Sequence, residues 1–356
     1  MRTGVLPDHM IAELHRLGVI RSETPLHERQ IQPASLDLRL GSKACRVRTS
    51  FLAGKRHRVE DRIAEFGMHE FSLENGAVLE RGGVYVVKLL ERLELPPSIH
   101  AVANARSTSG RIDLLVRIIT DEGCEFDRIR AGYQGPLFAE ICPRSFSVLV
   151  RTGSKLNQIR FSQGRAGLSD SELTELCRNC RVMPGDPVVD GGLAFSVDLK
   201  RDSGPAGYNA KAHAGIIDVD SVEACRIGDY WDALNVKDGK LILDPGQFYI
   251  LSSRETVSIP AGFAAEMVPY LPMVGEFRVH YAGFFDPGFG AAETGGQGSR
   301  SVLEVRCHEA PFLLEHGQTV GKLAFERMLE PPAKPYGATR NSTYQGQGLR
   351  LSMHFR

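Results

Sequence analysis

The sequence predicts a mainly β protein made of two tandem copies of one module, each opened by a short helix. Three observations predict this fold class: apolar and polar alternations broken by Gly and Pro, a length of 356 residues, and an internal repeat. Because the length exceeds one typical domain, we expect two domains of roughly 150 residues, each able to bury its own core.

The first elements are a helix and a half-buried strand. Residues 7–17 place Met10, Ile11 and Leu14 at helical spacing. Residues 33–41 alternate apolar and polar side chains with period two and end in glycine, which predicts a strand. Further strands are predicted at 79–90, 102–106, 114–120, 137–141 and 148–161.

The same pattern occurs twice in the chain. Residues 79–85 match residues 243–249 at an offset of 164. Upstream, the Ser-x-Asp-Leu strand at 35–38 matches the one at 196–199 at an offset of 161. Because internal repeats decide the architecture, these matches predict a tandem duplication. The offset of 164 also aligns Pro96 with Pro260, Glu140 with Glu304, Gly153 with Gly317 and Phe161 with Phe325.

The repeat predicts modules at 1–165 and 166–330, followed by a tail at 331–356. The tail is rich in Gly, Ser, Thr and Gln and has no hydrophobic period. By composition alone, such a segment is as typical of a disordered tail as of an ordered one.

Charge and composition exclude several classes of function. The 43 basic and 43 acidic residues cancel, so no global field recruits nucleic acid or an anionic membrane. Seven scattered cysteines argue against a disulfide framework and for a reducing compartment. No apolar run approaches the ~20 residues of a membrane-spanning helix, and the N-terminus lacks the apolar region of a signal peptide. We therefore expect a cytoplasmic protein that binds neither nucleic acid nor membranes.

One carboxylate lies inside an apolar strand. Residues 301–305 read Ser-Val-Leu-Glu-Val, so Val302 and Glu304 point to the same face. If that face is the core, an ionised carboxylate costs several kcal/mol unless it is paired, and its pKa rises instead. A carboxyl with a raised pKa suits proton transfer. The alternative is a polar strand face that meets solvent.

A loop at 104–111 concentrates guanidinium and hydroxyl groups. Arg106, Ser107, Thr108 and Arg111 fall within six residues, after a predicted strand. Arginine forks and hydroxyls together suit a polyphosphate, because they supply directed donors to many oxygens. The alternative is a solvated Ser/Arg loop.

The two halves differ at their chemically important positions. The offset of 164 aligns Arg106 with Tyr270 and Arg111 with Gly275, so the second half lacks this phosphate-binding pattern. Conversely, the Phe-Asp-Pro-Gly-Phe turn at 285–289 has no close counterpart in the first half. Each half therefore keeps what the other has lost.

Rival chemistries are less well supported. Cys177 and Cys180 form a single CxxC without a second pair, so zinc or redox chemistry is not favoured. No His-x-Glu and no Pro-Cys-x-x-Cys occur, which argues against a zinc-dependent base deaminase.

Several of these segments resemble one family. They are PASLDLRLG near the start, RSTSGR, FDPGF followed by VLEV, HGQTVGKLAFE, and a tail that contains Tyr-x7-Tyr-Gln-Gly-Gln. Together they resemble dCTP deaminases, relatives of trimeric dUTPases with the β-clip fold, a distorted barrel or jelly roll. The resemblance implies hydrolytic deamination of dCTP to dUTP and ammonia, which supplies dUTP for thymidylate synthesis. It also implies Mg²⁺ carried on the substrate triphosphate and no catalytic metal bound by the protein.

The resemblance also implies roles for individual residues. Glu304 resembles the catalytic glutamate, with Glu140 as the alternative carboxylate. Arg111 is similar to the arginine near the reacting centre, and Ala282 to the residue whose backbone orients the water. Thr343 replaces a lysine of the family's tail. The implied substrate-binding residues are Arg106, Ser107, Thr108, Asp286, Val302, Leu303, Tyr336, Thr343 and Gln347.

The family's trimers hold the base and the phosphates with different subunits, and here these two sets fall in different halves of one chain. We therefore expect one composite site per chain, in a monomer or a homo-oligomer. Two alternatives remain open. The FDPGF turn also resembles dUTP pyrophosphatases, which allows that activity or a bifunctional enzyme. A nucleotide-binding regulator without catalysis is the second.

Overall fold

The computed structural model of the chain describes residues 2–269, 277–280, 283–338 and 342–356, with the backbone alone at 269 and 277–280. Within these ranges strands far outnumber helices, and most strands pair antiparallel. The mainly β fold class predicted from the sequence is confirmed.

The first half contains strands β1 to β13 and three short helices. The helices are α1 (Asp8–Arg16), α2 (Val59–Phe66) and α3 (Ser107–Gly110), with a 3₁₀ turn at Glu28–Gln30. The strands are β1 (Gly4–Val5), β2 (Ile20–Ser22), β3 (Ile31–Gln32), β4 (Ser35–Val47), β5 (Gly67–Ser72), β6 (Ala77–Leu79), β7 (Val84–Glu94), β8 (Ile99–Ala105), β9 (Leu114–Thr120), β10 (Arg128–Ile129), β11 (Gln134–Pro143), β12 (Val148–Val150) and β13 (Lys155–Gln163).

The second half repeats this order with insertions. Its helices are α4 (Asp170–Cys180) and α5 (Ile227–Tyr230), with a 3₁₀ turn at Ala292–Thr294. Its strands are β14 (Leu193–Ser196), β15 (Gly207–Ala210), β16 (Ile217–Asp218), β17 (Trp231–Leu234), β18 (Lys240–Leu243), β19 (Phe248–Val257), β20 (Phe263–Pro269), β21 (Phe277–His280), β22 (Phe284–Phe285), β23 (Ser299–Cys307), β24 (Phe312–Glu315) and β25 (Thr319–Arg327).

Both halves pair their central strands in the same register. On β11, Glu140 lies opposite Val86 of β7, and on β23, Glu304 lies opposite Ile250 of β19. Each second-half residue follows its counterpart by 164 positions. The pairs β8 with β13 and β20 with β25 keep that offset as well. The repeat seen in the sequence is therefore a repeat of strand pairing.

The Ser-x-Asp-Leu strand departs from the sequence alignment. Leu38 lies opposite Asn157 in the first half, and Phe195 lies opposite Gly321 in the second. On the partner strands, Gly321 follows Asn157 by the usual 164 positions. On the Ser-x-Asp-Leu strand, Phe195 follows Leu38 by 157 positions, whereas the sequence match has an offset of 161. A shift of four residues is even, so it leaves the same alternate positions facing the core, and pattern matching cannot detect it.

Strand length explains why the two halves differ in shape. Strand β4 is long enough to pair with both β13 and β7, which joins the first-half strands other than β6 and β12 into one 11-stranded, barrel-like sheet. The four-residue β14 pairs with β25, and the second half is divided among separate four-, five- and two-stranded sheets.

The halves and the tail share one large hydrophobic cluster, beside which the second half has a separate core. Strand β16 of the second half pairs in parallel with β12 of the first. The Trp231 ring packs on Phe146 of the first half at 5.3 Å and on Phe355 of the tail at 5.7 Å. Leu351 and Phe355 are buried, so the described part of the tail is ordered rather than disordered.

Within the described ranges, no helix has both the length and the apolar character needed to cross a membrane. The same residues include no group of three His, Cys, Asp or Glu side chains placed to hold a metal ion.

Candidate active site

A cavity of about 710 Å³ is lined by the first half, the second half and the tail together. Its volume falls in the range of roughly 300–1,000 Å³ that is typical of small-molecule sites.

Glu304 reaches the cavity from β23. Val302 and Glu304 share the face that lines the cavity, whereas Leu303 points into the core of the second half. Glu304 is 5% exposed. Burial raises the pKa of Glu304 well above its ordinary value; the Arg111 guanidinium opposes that rise and the Asp113 carboxylate adds to it. A carboxyl whose pKa is raised in this way is suited to proton transfer, because its protonated form is more accessible than that of an ordinary glutamate.

Arg111 joins the first half, the second half and the tail. Its Nε lies 4.0 Å from Oε1 of Glu304. Its Nη2 donates to Oε1 of Gln347 at 2.9 Å, its Nη1 donates to the Arg350 carbonyl at 3.0 Å, and the guanidinium stacks 3.8 Å from the centre of the Tyr344 ring. The tail therefore fixes the guanidinium beside the carboxyl.

A buried ion pair connects the halves next to these two residues. Asp113 lies two residues after Arg111, and Arg306 lies two residues after Glu304. Arg306 donates to the Asp113 carboxylate, and Ser145 donates to the same carboxylate at 2.6 Å. Because breaking a buried pair costs about 3–5 kcal/mol, this contact holds the segment after α3, which carries Arg111, in a fixed relation to β23, which carries Glu304.

A cationic cluster lines another part of the cavity. Nε of Arg106 lies 3.2 Å from Oδ1 of Asp37, and Nζ of Lys155 lies 3.7 Å from Oδ2 of the same carboxylate. Ser107 and Thr108 line the cavity beside them. Two cations share one buried anion, so a positive charge and several donors remain for a ligand's oxygens.

The Asp-Pro-Gly-Phe turn holds the start of the tail. Gly288 has a φ of 96°, and a Cβ there would lie 2.5 Å from the Tyr336 carbonyl oxygen, so only glycine fits. Tyr336 donates its backbone N–H to the Pro287 carbonyl at 2.8 Å, and its ring packs on Phe289 at 5.7 Å.

Asp286 presents a buried carboxylate to the cavity. Among the described residues its Oδ1 has no hydrogen-bond partner, and Nη2 of Arg160 lies 3.8 Å away. Burial raises the pKa of Asp286 to about 6; Arg160 opposes the rise and Asp37 adds to it.

The tail is also anchored near both ends, at its start by the first half and near its end by both halves. At its start, the backbone N–H groups of Ala333 and Lys334 donate to the Asp8 carboxylate of α1 at 2.8 and 2.9 Å. Near its end, Ser352 donates to the Thr108 carbonyl at 2.9 Å, and the neighbouring His354 contacts the Val219 carbonyl at 3.1 Å.

Glu140 occupies the matching position in the first half but does not reach the cavity. It is fully buried and forms an ion pair with Arg117. Phe138 shares its strand face and belongs to a buried cluster with Phe51 and Val59. The space that is open beside Glu304 is therefore filled beside Glu140.

The chain matches models of both domains of 2′-deoxycytidine 5′-triphosphate deaminase. The N-terminal domain model matches residues 2–165, and the C-terminal domain model matches residues 169–355. The chain belongs to the dCTP deaminase family.

A solved structure of 2′-deoxycytidine 5′-triphosphate deaminase from Agrobacterium tumefaciens is 50% identical, with a TM-score of 0.89 over 93% of this chain and 100% of that one. The dCTP deaminase of Natronomonas pharaonis is 33% identical over 125 residues, which are 34% of this chain and 60% of that protein. A "dCTP deaminase, dUMP-forming" of Methanothermobacter thermautotrophicus is 30% identical over 134 residues, 36% of this chain and 64% of that protein. These two matches thus span less than two thirds of either relative.

The structure brings together most of the site residues predicted from the sequence. Leu303 does not line the cavity, because its side chain packs in the core. Ala282 lies outside the described residues. The predicted residues that line the cavity are Arg106, Ser107, Thr108, Arg111, Asp286, Val302, Glu304, Tyr336, Thr343 and Gln347.

Sequence reasoning missed several residues of this dCTP deaminase family site. The sequence predicts a strand around Asp37 but no role for it, although a carboxylate on a half-buried strand is a signal for one. Nothing local marks Lys155 or Asp8, because their importance comes from contacts with distant segments. The tail motif includes Tyr344, but nothing in the sequence predicts that its ring stacks on Arg111.

Proposed function

We propose that this chain hydrolyses dCTP to dUTP and ammonia. One observation carries the proposal: a buried carboxyl with a raised pKa, Glu304, lines the same cavity as the arginine and hydroxyl groups at 106–108. A proton-transfer group and a polyphosphate-binding loop in one cavity suit a nucleotide whose base is the reacting part.

Glu304 would carry the protons of the reaction. The ionised carboxylate takes a proton from water as the water oxygen bonds to C4 of cytosine, and the resulting acid gives a proton to N3. In the second stage a proton from the added hydroxyl is transferred to the amino group, the C4–N bond breaks, and ammonia leaves. General acid–base catalysis of this kind contributes typically 10²–10⁴-fold. Arg111, 4.0 Å from Glu304, is placed to orient the carboxyl and stabilise charge on it.

The triphosphate would bind at the cationic cluster. Arg106, Ser107 and Thr108 supply the directed donors, and Mg²⁺ enters as part of the substrate on the triphosphate. Thr343 lines the cavity where the family's tail has a lysine, and Lys155 of β13 supplies an ammonium group to the same cavity. Asp286 would accept a hydrogen bond from the deoxyribose.

The tail would close over the bound nucleotide. Tyr336, Tyr344 and Gln347 all line the cavity, and Gln347 and Tyr344 also hold Arg111. Excluding bulk water would strengthen every electrostatic interaction with the base. Because both halves of one chain line the cavity, we propose one nucleotide site per chain.

A bifunctional enzyme is the second candidate. It is favoured by relatives whose names are "dCTP deaminase, dUMP-forming", including the one from Methanothermobacter thermautotrophicus. Such an activity would hydrolyse the triphosphate after or during deamination.

The experiment is to incubate the purified chain with dCTP and Mg²⁺ and measure ammonia, dUTP, dUMP and pyrophosphate. Ammonia with an equal amount of dUTP supports the proposal. Ammonia with dUMP and pyrophosphate supports the bifunctional enzyme. Binding of dCTP with neither product would overturn both and leave a nucleotide-binding regulator.

A further inference from the structure

Arg160 is a buried cation that the proposed chemistry leaves unexplained. It lies on β13 of the first half, is 2% exposed, and its counterpart in the second half at an offset of 164 is Ala324. A buried guanidinium is costly unless it is paired and hydrogen-bonded. Its partners should therefore indicate what it does.

The hydrogen bonds of Arg160 cross to the second half. Its Nη1 donates to the Ala265 carbonyl at 3.3 Å and to Oε2 of Glu326 at 3.0 Å, and its Nη2 donates to the Phe285 carbonyl at 3.4 Å. The guanidinium also stacks 4.0 Å from the centre of the Phe284 ring. One first-half side chain thus fixes β20, β22 and β25, which surround the start of the Asp-Pro-Gly-Phe turn.

Arg160 also faces the carboxylate at the start of that turn. Its Nη2 lies 3.8 Å from Oδ1 of Asp286, which is close enough for strong attraction but too long for a hydrogen bond. Oδ1 has no hydrogen-bond partner among the described residues. The carboxylate therefore gains a neighbouring positive charge and keeps its lone pairs for a ligand.

We infer that Arg160 is a positioning residue of the nucleotide site, which holds the Asp286 turn and keeps that carboxylate available to accept a hydrogen bond from the sugar of dCTP. This inference rests on the proposed function. It assigns to the first half a second contribution to the site, separate from the phosphate-binding loop.

The charged groups around Arg160 and Asp286 determine how the affinity for dCTP should change with pH. Asp37 and Tyr336 face Asp286, whereas Glu326 and Glu266 face Arg160. The pKa of Asp286 is about 6, so it is mostly ionised at neutral pH, and affinity for the sugar should fall as pH drops through 6. Removing Arg160 should move this loss to higher pH. Removing the negative charge of Glu326 should move it to lower pH, because one of the carboxylates that offset the positive charge of Arg160 is then gone.

The test measures dCTP binding by calorimetry between pH 5 and pH 8 in a Glu304→Gln background, which prevents turnover and removes the titration of Glu304. Arg160→Met should weaken binding roughly tenfold at pH 6.5, and Arg160→Lys should restore most of the affinity. Glu326→Gln should shift the profile in the opposite direction. Because each variant binds the same ligand, the titration of the dCTP phosphates cancels in the comparison.

Asp286→Asn supplies the matched control. In that variant, adding Arg160→Met should weaken binding by much less than tenfold and should no longer shift its pH dependence, because the carboxylate on which the charge of Arg160 acts is gone. If Arg160→Met does not fold, the direction of the Glu326→Gln shift decides, since that residue is part-exposed. The inference would be overturned if Arg160→Met bound dCTP normally with no shift in its pH profile. It would also be overturned if the profiles of Arg160→Met and Glu326→Gln shifted in the same direction. No binding of dCTP and no ammonia from the unaltered chain would instead overturn the proposed function.

Discussion

Replacing Glu304 with Gln removes one proton-transfer group and changes the shape of the site very little. Because the proposed mechanism uses this one carboxyl for both the water and the ring nitrogen, we expect turnover to fall by roughly 10²–10⁴-fold. This corresponds to about 2.7–5.5 kcal/mol of barrier, at 1.36 kcal/mol for each factor of ten. Binding of dCTP should persist, because the phosphate and sugar contacts are provided by other residues.

The structure also predicts the stability of this variant. Burial raises the pKa of Glu304 in the folded chain above its ordinary value, so the ionised form destabilises the fold at pH values above that ordinary value. The neutral amide avoids this cost. The melting temperature of Glu304→Gln at pH 8 should therefore equal or exceed that of the unaltered chain.

The matched control is Glu140→Gln, at the equivalent position of the first half. It leaves Arg117 without its buried partner and should cost about 1–3 kcal/mol of stability, while ammonia release is retained. Ammonia release and thermal denaturation of both variants are the assays. Near-native turnover in Glu304→Gln, or its loss in folded Glu140→Gln, would refute the assignment.

Three further predictions concern the tail and the phosphate site. Gly288→Ala should raise the KM for dCTP and the rate of proteolysis of the tail, because the added methyl group meets the Tyr336 carbonyl; unchanged proteolysis would contradict this. Burial lowers the pKa of His354 below 6.5, so the neutral form is favoured in the fold and stability is lost as pH falls below 6.5. The hydrogen-exchange protection factors of the tail's last residues, which correct for the intrinsic pH dependence of exchange, should then be lower at pH 5.5 than at pH 7.5, and a His354→Gln variant should lose that difference. Lys155→Met should raise the KM for dCTP by roughly 10- to 100-fold, as expected for one charge-assisted contact, with a smaller effect on the affinity for deoxycytidine without phosphates.

The sequence was informative where function requires particular residue types at close spacing. The hydroxyls and guanidiniums at 106–111 and the carboxylate in residues 301–305 could be singled out by residue type and spacing, and the resemblance to dCTP deaminases then favoured a functional role over a solvated loop or a polar strand face. The repeat assigned the carboxylate and the phosphate-binding loop to different halves and so predicted one site built by both. The cavity lined by both Arg106 and Glu304 agrees with that prediction.

The contacts that complete the site could not be read from local patterns. Arg160 and Asp286 are separated by 126 residues, and Asp8 meets the tail across more than 320 residues. Such pairs depend on how the two halves pack, which periodicity does not encode. The four-residue displacement of β14 was hidden for a different reason, since an even shift preserves the alternation on which strand alignment depends.

The central claim is that the two halves of one chain build a single nucleotide site, because the space beside Glu140 is filled and the space beside Glu304 is open. Titrating the Glu304→Gln variant with dCTP in a calorimeter measures this directly. One molecule of dCTP bound per chain is the predicted result, and two equivalent molecules per chain would contradict the account.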